Sequence, residues 1–493
     1  MTRPQTLTRR AAIAALLAAA AAPAVAEAPA RSKRPMPRPG ARVAAAVPAA
    51  PRIAAPATAD LIAAARLGGR VSSAVIDVAT GARLDGVEPE LPLPPASVAK
   101  AITALYALDR LGPGYRFVTR VMATGPVAGG IVQGDLVLAG TGDPTLTTDG
   151  LGDLAAALRA RGLRGATGRF LVHAGALPAA AMIDDTQPVH VGYNPAIAGL
   201  NLNFNRVHFE WKRAQGGWQV QLDARGERFV PLVRCARVRV VDRAAPAFTY
   251  ADRDGAEVWT VASAALGNGG SRWLPVRRPA AYAGEVFRTL AAAHGITLGE
   301  PASIPQAPGG TVLAEVASDP LGPMIRAMLR HSTNLTAEVL GLTASGAGGL
   351  RASAQAMSDW AGARYGAAVR LVDHSGLGAA SRVAAQDMAG IMAAAHRAGA
   401  LPPLLRPFPV REGKGGPVVV AKTGTLNFVS GLAGYVAQPS GRVLAFAIFA
   451  ADTGRRDGIP TDSRERPAGG PEWTRRARGM QARIVDGWAG AFA

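Results

Sequence analysis

Cysteine occurs once in these 493 residues, at Cys235. That excludes an intrachain disulfide and any thiolate-rich metal site, and leaves Cys235 as a small core residue. Aromatic residues make up only 5% of the chain, and the basic residues are scattered. A net charge of +19 therefore does not point to a nucleic-acid partner. After the N-terminus no run reaches the roughly 18 apolar residues of a membrane span, so no transmembrane anchor is expected in the mature form. The seven histidines form no His-Glu-x-x-His or comparable ligand set, so neither a metal nor another cofactor is expected. The most informative scarcity is lysine. Of 54 Lys and Arg residues only Lys33, Lys100, Lys212, Lys414 and Lys422 are lysines, which leaves 49 arginines. Arginine cannot give up its proton inside a protein, whereas a lysine can be tuned to do so. A lysine on an apolar face of this chain therefore needs a chemical reason.

What is present indicates a folded, exported protein. Hydrophobic content is 49% and charged content 18%, and the length allows two to four domains. Thr8-Arg9-Arg10 precedes the apolar run Ala11–Ala22, and Ala24-Val25-Ala26 offers a small-residue cleavage site. Residues 1–26 thus read as a signal peptide for an ordinary secretory or a twin-arginine route, with a periplasmic destination. Residues 27–58 are a Pro/Ala-rich linker with no means of burying a core. A short helix near Asp60–Ala65 follows, then a hairpin of Val71–Val78 and Ala82–Val87 around Thr80-Gly81.

Pro95-Ala96-Ser97-Val98-Ala99-Lys100 opens a helical run carried by Val98, Ile102, Leu105 and Leu108 and stopped at Gly112-Pro113-Gly114. Ser97 and Lys100 are three apart and share one helical face. A hydroxyl becomes a nucleophile when something takes its proton, and a desolvated lysine amine can do so. The helix N-terminus adds free N–H groups beside any oxyanion that forms at Ser97.

Residues 115–315 change character. Strand-like runs (Phe117–Met122, Ile131–Ala139, Arg169–Val172, Arg206–Trp211, Trp218–Asp223, Val238–Val241) alternate with turns and one clear helix, Leu151–Arg161. This is the pattern of an inserted strand-rich module between residues 59–114 and 316–493. Thr141-Gly142-Asp143-Pro144 reads as a structural turn, and Asn201, Asn203 and Asn205 as polar alternation at a strand edge.

Helical periodicity returns at Leu321–Leu329, breaks at His331-Ser332-Thr333-Asn334 and resumes through Leu335–Leu342. Ser332 and Asn334 so placed serve either as capping residues or as proton bridge and positioning group for Lys100. Then Val418-Val419-Val420-Ala421-Lys422-Thr423-Gly424-Thr425 forms a strand, with further antiparallel strands at Gly431–Val436 and Val443–Ala450. Lys422 sits at its working end. Gly424 would let a ligand backbone approach, and Thr423 and Thr425 offer hydroxyls to a carboxylate. The Thr425 N–H is a candidate second oxyanion donor. The basic segment Glu472–Trp488 carries Trp473, Met480, Ile484 and Trp488 at helical spacing and should pack on this sheet.

Ser-x-x-Lys, Ser-x-Asn and Lys-Thr-Gly occur in that order, with starts 235 and then 90 residues apart. Together they are the signature of penicillin-binding proteins and serine β-lactamases. With the long first interval, Thr141-Gly142-Asp143-Pro144, Asn334-Leu335-x-Ala337-Glu338 and Asp373-His374-Ser375-Gly376-Leu377, the chain resembles the class C low-molecular-mass penicillin-binding proteins, the D-alanyl-D-alanine carboxypeptidase/endopeptidases. The resemblance covers about residues 60 to 490. It implies an α+β fold: an antiparallel sheet flanked by helices, a helical subdomain and a strand-rich insertion. It also implies that Ser97 forms an acyl-enzyme with peptidoglycan stem peptides. Lys100, Ser332 and Asn334 would manage protons and position, Lys422 and Thr423 would engage the substrate carboxylate, and β-lactams would inhibit covalently. His374 stands where a glycine is common. Asp373, Ser375 and Arg382 read as scaffold, and Asp184 and Asp185 are candidates for contacting the peptide's diamino acid. A serine β-lactamase and a catalytically silent wall-binding scaffold are the alternatives.

Overall fold

The computed structural model of the chain describes residues 57–253, 255–409 and 416–493. The expected signal peptide and nearly all of the linker lie outside the described residues.

Its organising element is an antiparallel sheet of six strands. Their order is Arg406–Pro407, Val418–Leu426, Val429–Ala437, Val443–Ala451, Arg70–Asp77 and Arg83–Val87. The central strand, Val-Leu-Ala-Phe-Ala-Ile-Phe-Ala-Ala, is buried along almost its whole length. Alternate side chains of a strand point to opposite faces, and here each set enters a different core. Ala445, Ala447 and Phe449 pack with Met388 and Met392 of the helix Ala385–Arg397. Leu444, Phe446 and Ile448 pack with Trp473, Met480, Ile484 and Trp488 of the C-terminal helix Gly470–Ala491. That helix covers the sheet as its spacing predicts. Each of those four side chains is 2% exposed or less, and burying one is worth roughly 1.5–3 kcal/mol. The two indoles are also satisfied: Trp473 donates to the Leu67 carbonyl at 2.8 Å and Trp488 to Asp85 at 2.7 Å.

Four helices, Ala99–Leu111, Leu321–His331, Asn334–Ser345 and Leu350–Tyr365, form the helical cluster beside the sheet. Strands between residues 118 and 317 pair only with one another, the largest set being a five-stranded sheet. They enclose a separate core around Phe170, Phe209, Trp259 and Phe287. This segment holds a second long helix, Pro279–Ala293, that the sequence pattern does not announce. The single strand expected over Ile131–Ala139 is two, Ile131–Val132 and Leu136–Gly140.

The Asn201–Asn205 stretch is not a strand edge. Asn203, Phe204 and Asn205 form a tight turn with φ of 49°, 58° and 51°. Asparagine tolerates this left-handed region because its amide bonds nearby backbone. Asn201 donates to the carbonyls of Ala198 (2.9 Å) and Gly142 (3.1 Å), and Asn205 donates to Asn201 (2.6 Å). Turn chemistry at Asp143 holds as expected: its carboxylate accepts the Thr145 N–H and hydroxyl at 2.8 and 2.6 Å.

Candidate active site

Ser97 lies in a tight turn, Ala96–Val98, that runs directly into the helix Ala99–Leu111. Ala96 adopts φ 47°, a left-handed geometry rare for a residue with a side chain and typical of strained functional turns. Close packing holds the turn in place. A Cβ on Gly376 would lie 1.9 Å from the Ala96 carbonyl, and one on Gly424 would lie 2.8 Å from both the Pro95 carbonyl and the Ser97 nitrogen. Gly424 therefore makes room for the serine turn itself, a constraint the sequence does not reveal.

Lys100 is fully buried. Its Nζ has three partners: Ser97 Oγ at 2.9 Å, Asn334 Oδ1 at 2.7 Å and the Ser375 carbonyl at 2.8 Å. Burial pushes its pKa down to about 8, opposed by Glu338 and Asp373. Asn334 opens the helix Asn334–Ser345, and its amide donates to the Tyr193 carbonyl at 2.8 Å. That bond fixes which way the amide faces, so its oxygen is turned to Lys100. Ser332 ends the preceding helix in a left-handed conformation, φ 58°. Its hydroxyl accepts from Lys422 Nζ at 3.0 Å, and Lys422 also donates to the Thr423 carbonyl at 2.5 Å. Lys422 too is depressed well below the usual lysine range, by burial and then by Lys100 and Arg406.

These groups border a cleft of 780 Å³ lined by Ser97, Ser332, Asn334 and Thr425. The two threonines expected at the substrate carboxylate are two residues apart and so share one face of the strand, yet they border different hollows. Thr425 lines the cleft and accepts from Arg478 at 3.0 Å. Thr423 borders a neighbouring 370 Å³ hollow with Gly424 and accepts from Arg406 at 3.1 Å. Each hydroxyl already accepts from an arginine, so its proton is free to point at an anion. Asp184 is buried within its own loop, accepting from Thr186 at 2.9 Å and Gln187 at 3.2 Å, and Asp185 is exposed. Neither lines the cleft.

A serine–lysine pair, a Ser-x-Asn loop and the strand that carries Lys-Thr-Gly thus meet at the edge of one cleft, and the sequence profile of the D-Ala-D-Ala carboxypeptidase 3 (S13) family matches residues 55–466. The chain belongs to this family. It is 29% identical over 470 residues to a carboxypeptidase of Mycobacterium tuberculosis, covering 85% of each chain. It is likewise 29% identical over 434 residues to a D-alanyl-D-alanine carboxypeptidase of Actinomadura, covering 78% of each. The crystal structure of penicillin binding protein 4 from Haemophilus influenzae shares its fold, with a TM-score of 0.68 at 20% identity, over 87% of this chain and 99% of that one.

Three features of this S13 peptidase are not announced by its sequence motifs, the third because the partners of a motif residue lie far along the chain. One is the Tyr193 carbonyl, a main-chain contact from the insertion that no side-chain pattern can announce. Another is Arg456, which lines the cleft although it is only 8% exposed. The third is Glu338, fully buried, which accepts the N–H groups of His374 and Ser375. In the insertion, His208, Glu210 and Asp223 cluster at metal-ligand distances. There the Arg225 guanidinium already supplies a cation, at 2.9 Å from Asp223 and 3.1 Å from Glu210. No helix among the described residues is long and apolar enough to cross a membrane.

Proposed function

We propose that this DD-peptidase works through an acyl-enzyme on Ser97, with Lys100 as the general base. The observation that carries the reading is the set of three partners on Lys100. Two of them, Asn334 Oδ1 and the Ser375 carbonyl, can only accept hydrogen bonds. A neutral lysine amine has two N–H donors and one lone pair. With both donors used on those acceptors, the lone pair is left for the Ser97 hydroxyl 2.9 Å away. At a pKa of about 8 roughly one lysine in ten is neutral at pH 7, against about one in three thousand at the ordinary value.

In the reaction, Lys100 takes the Ser97 proton as Oγ attacks the carbonyl between two D-alanines. The carbon–nitrogen bond breaks, and the departing amine receives a proton through Ser332. Water then cleaves the ester, returning the proton to Ser97 and releasing the shortened peptide. The N–H groups of Ser97 and Thr425 would hold the oxyanion. Lys422 and the threonine hydroxyls would hold the terminal carboxylate. A free D-alanine leaving group makes the enzyme a carboxypeptidase, and an amine belonging to a cross-link makes it an endopeptidase. β-Lactams would acylate the same serine. The signal-like N-terminus supports action in the periplasm.

The test is D-alanine release from a pentapeptide and cleavage of a cross-linked muropeptide by wild type and Ser97→Ala. The variant should keep the wild-type circular dichroism spectrum and lose both activities. Undiminished release by Ser97→Ala would refute the assignment.

A further inference from the structure

Two buried carboxylates lie beside Lys100, and neither lines the cleft. Glu338 is 0% exposed and Asp373 is 2% exposed. Both are spent on one turn. Glu338 accepts the His374 N–H at 3.0 Å and the Ser375 N–H at 2.8 Å. Asp373 accepts the Gly376 N–H at 2.6 Å and that of Gly378. The turn they hold presents the Ser375 carbonyl to Lys100, at 2.8 Å, and the His374 carbonyl to Thr103, at 2.5 Å. Holding a turn does not require buried charge, since neutral acceptors would do so without the cost of desolvating two acids. The charge itself therefore needs a use, and Lys100 is the cation it acts on.

We propose that Glu338 and Asp373 are positioning residues for acylation: they hold the Ser375 carbonyl on Lys100, and the negative charge they keep between them favours the ammonium formed when Lys100 takes the Ser97 proton. The inference rests on the Ser97–Lys100 reading above. Glu338 faces Asp373 and Lys100, with His374 at its side, while Asp373 also feels Asp184 from the insertion. Lys422 opposes Lys100 from the strand, with Arg406 beyond it. His374 stays neutral, burial holding it near 3. Burial and then the neighbouring acid push Glu338 up to about 8, burial raises Asp373 as well, and Lys100 opposes both shifts.

The second-order rate of acylation by benzylpenicillin, followed by intact mass between about pH 5 and 10, tests this on Glu338→Gln and Asp373→Asn. With one acid removed, less negative charge faces Lys100 across its titration, and it gives up its proton more easily. The acid limb of the profile should then move about half to one unit toward lower pH, and the plateau should fall about twofold to tenfold because the base is weaker. A folded variant whose limb stays in place, whether or not its rate falls evenly at all pH values, overturns the proposal. Either variant carries the test if the other fails to fold. Direct titration of Lys100 by NMR with isotope-labelled lysine needs no variant, and with five lysines in the chain the spectrum is simple. A two-step curve is expected from coupling to a carboxyl pair, and a single ordinary step would overturn it. Failure of the wild type to be acylated at all would instead refute the Ser97 reading.

Discussion

At the scale of single residues, the proposed chemistry depends on lysine being able to lose a proton. Replacing Lys100 with Arg keeps the positive charge but removes the base. Acylation by penicillin should fall at least about a hundredfold, measured by stopped-flow or intact mass, and a variant with full activity would exclude Lys100 as the base. The wild-type rate should rise with pH toward a plateau, with its midpoint near 8, because the deprotonated lysine is the active form. Rarity made this residue legible: in a chain with 49 arginines, a lysine on an apolar face stands out. Lys422 was readable for the same reason. Glu338 was visible in its motif, yet its role was not, because nothing local in Asn-Leu-x-Ala-Glu says that the carboxylate reaches a turn 36 residues away.

At the scale of elements, the site depends on close approaches between a turn, a strand and a helix. His374 fills a space that glycine commonly leaves empty, and the facing helix compensates. A Cβ on Gly341 would lie 2.0 Å from the His374 ring. Gly341→Ala should destabilise the protein by about 1–3 kcal/mol through overpacking, and His374→Gly should relieve part of that loss in the double variant. Additive effects in a denaturation double-mutant cycle would contradict the paired packing. Long apolar runs such as Val443–Ala451 were readable as strands, and Trp473 to Trp488 as a sheet-covering helix. The helices Leu350–Tyr365, Ala385–Arg397 and Pro279–Ala293 were not. Their faces are rich in alanine and glycine, which pack closely without a strong apolar stripe.

At the scale of the whole molecule, the strand-rich segment reaches the candidate site. It supplies the Tyr193 carbonyl that orients Asn334. It is also tied to the cleft wall through Glu465, which meets His190 at 2.7 Å and Arg272 at 2.9 Å. These partners, His190 first, hold Glu465 down near 2. A depressed carboxylate contributes stability above its unfolded pKa, lost as pH falls through the folded value. The stabilisation should therefore be full above about pH 4.5 and be lost progressively as the pH falls to about 2. Glu465→Gln should lower Tm by about 1–3 °C at neutral pH, a small effect because the pair is partly exposed. An equal Tm at pH 7 would show that the tie adds nothing. The central claim is that Ser97 is the acylated nucleophile. Its most direct test is intact-mass analysis after brief penicillin exposure, followed by peptide mapping. One drug adduct on the peptide containing Ser97 is the predicted result. An adduct on another residue, or no adduct with the drug left intact, would contradict it.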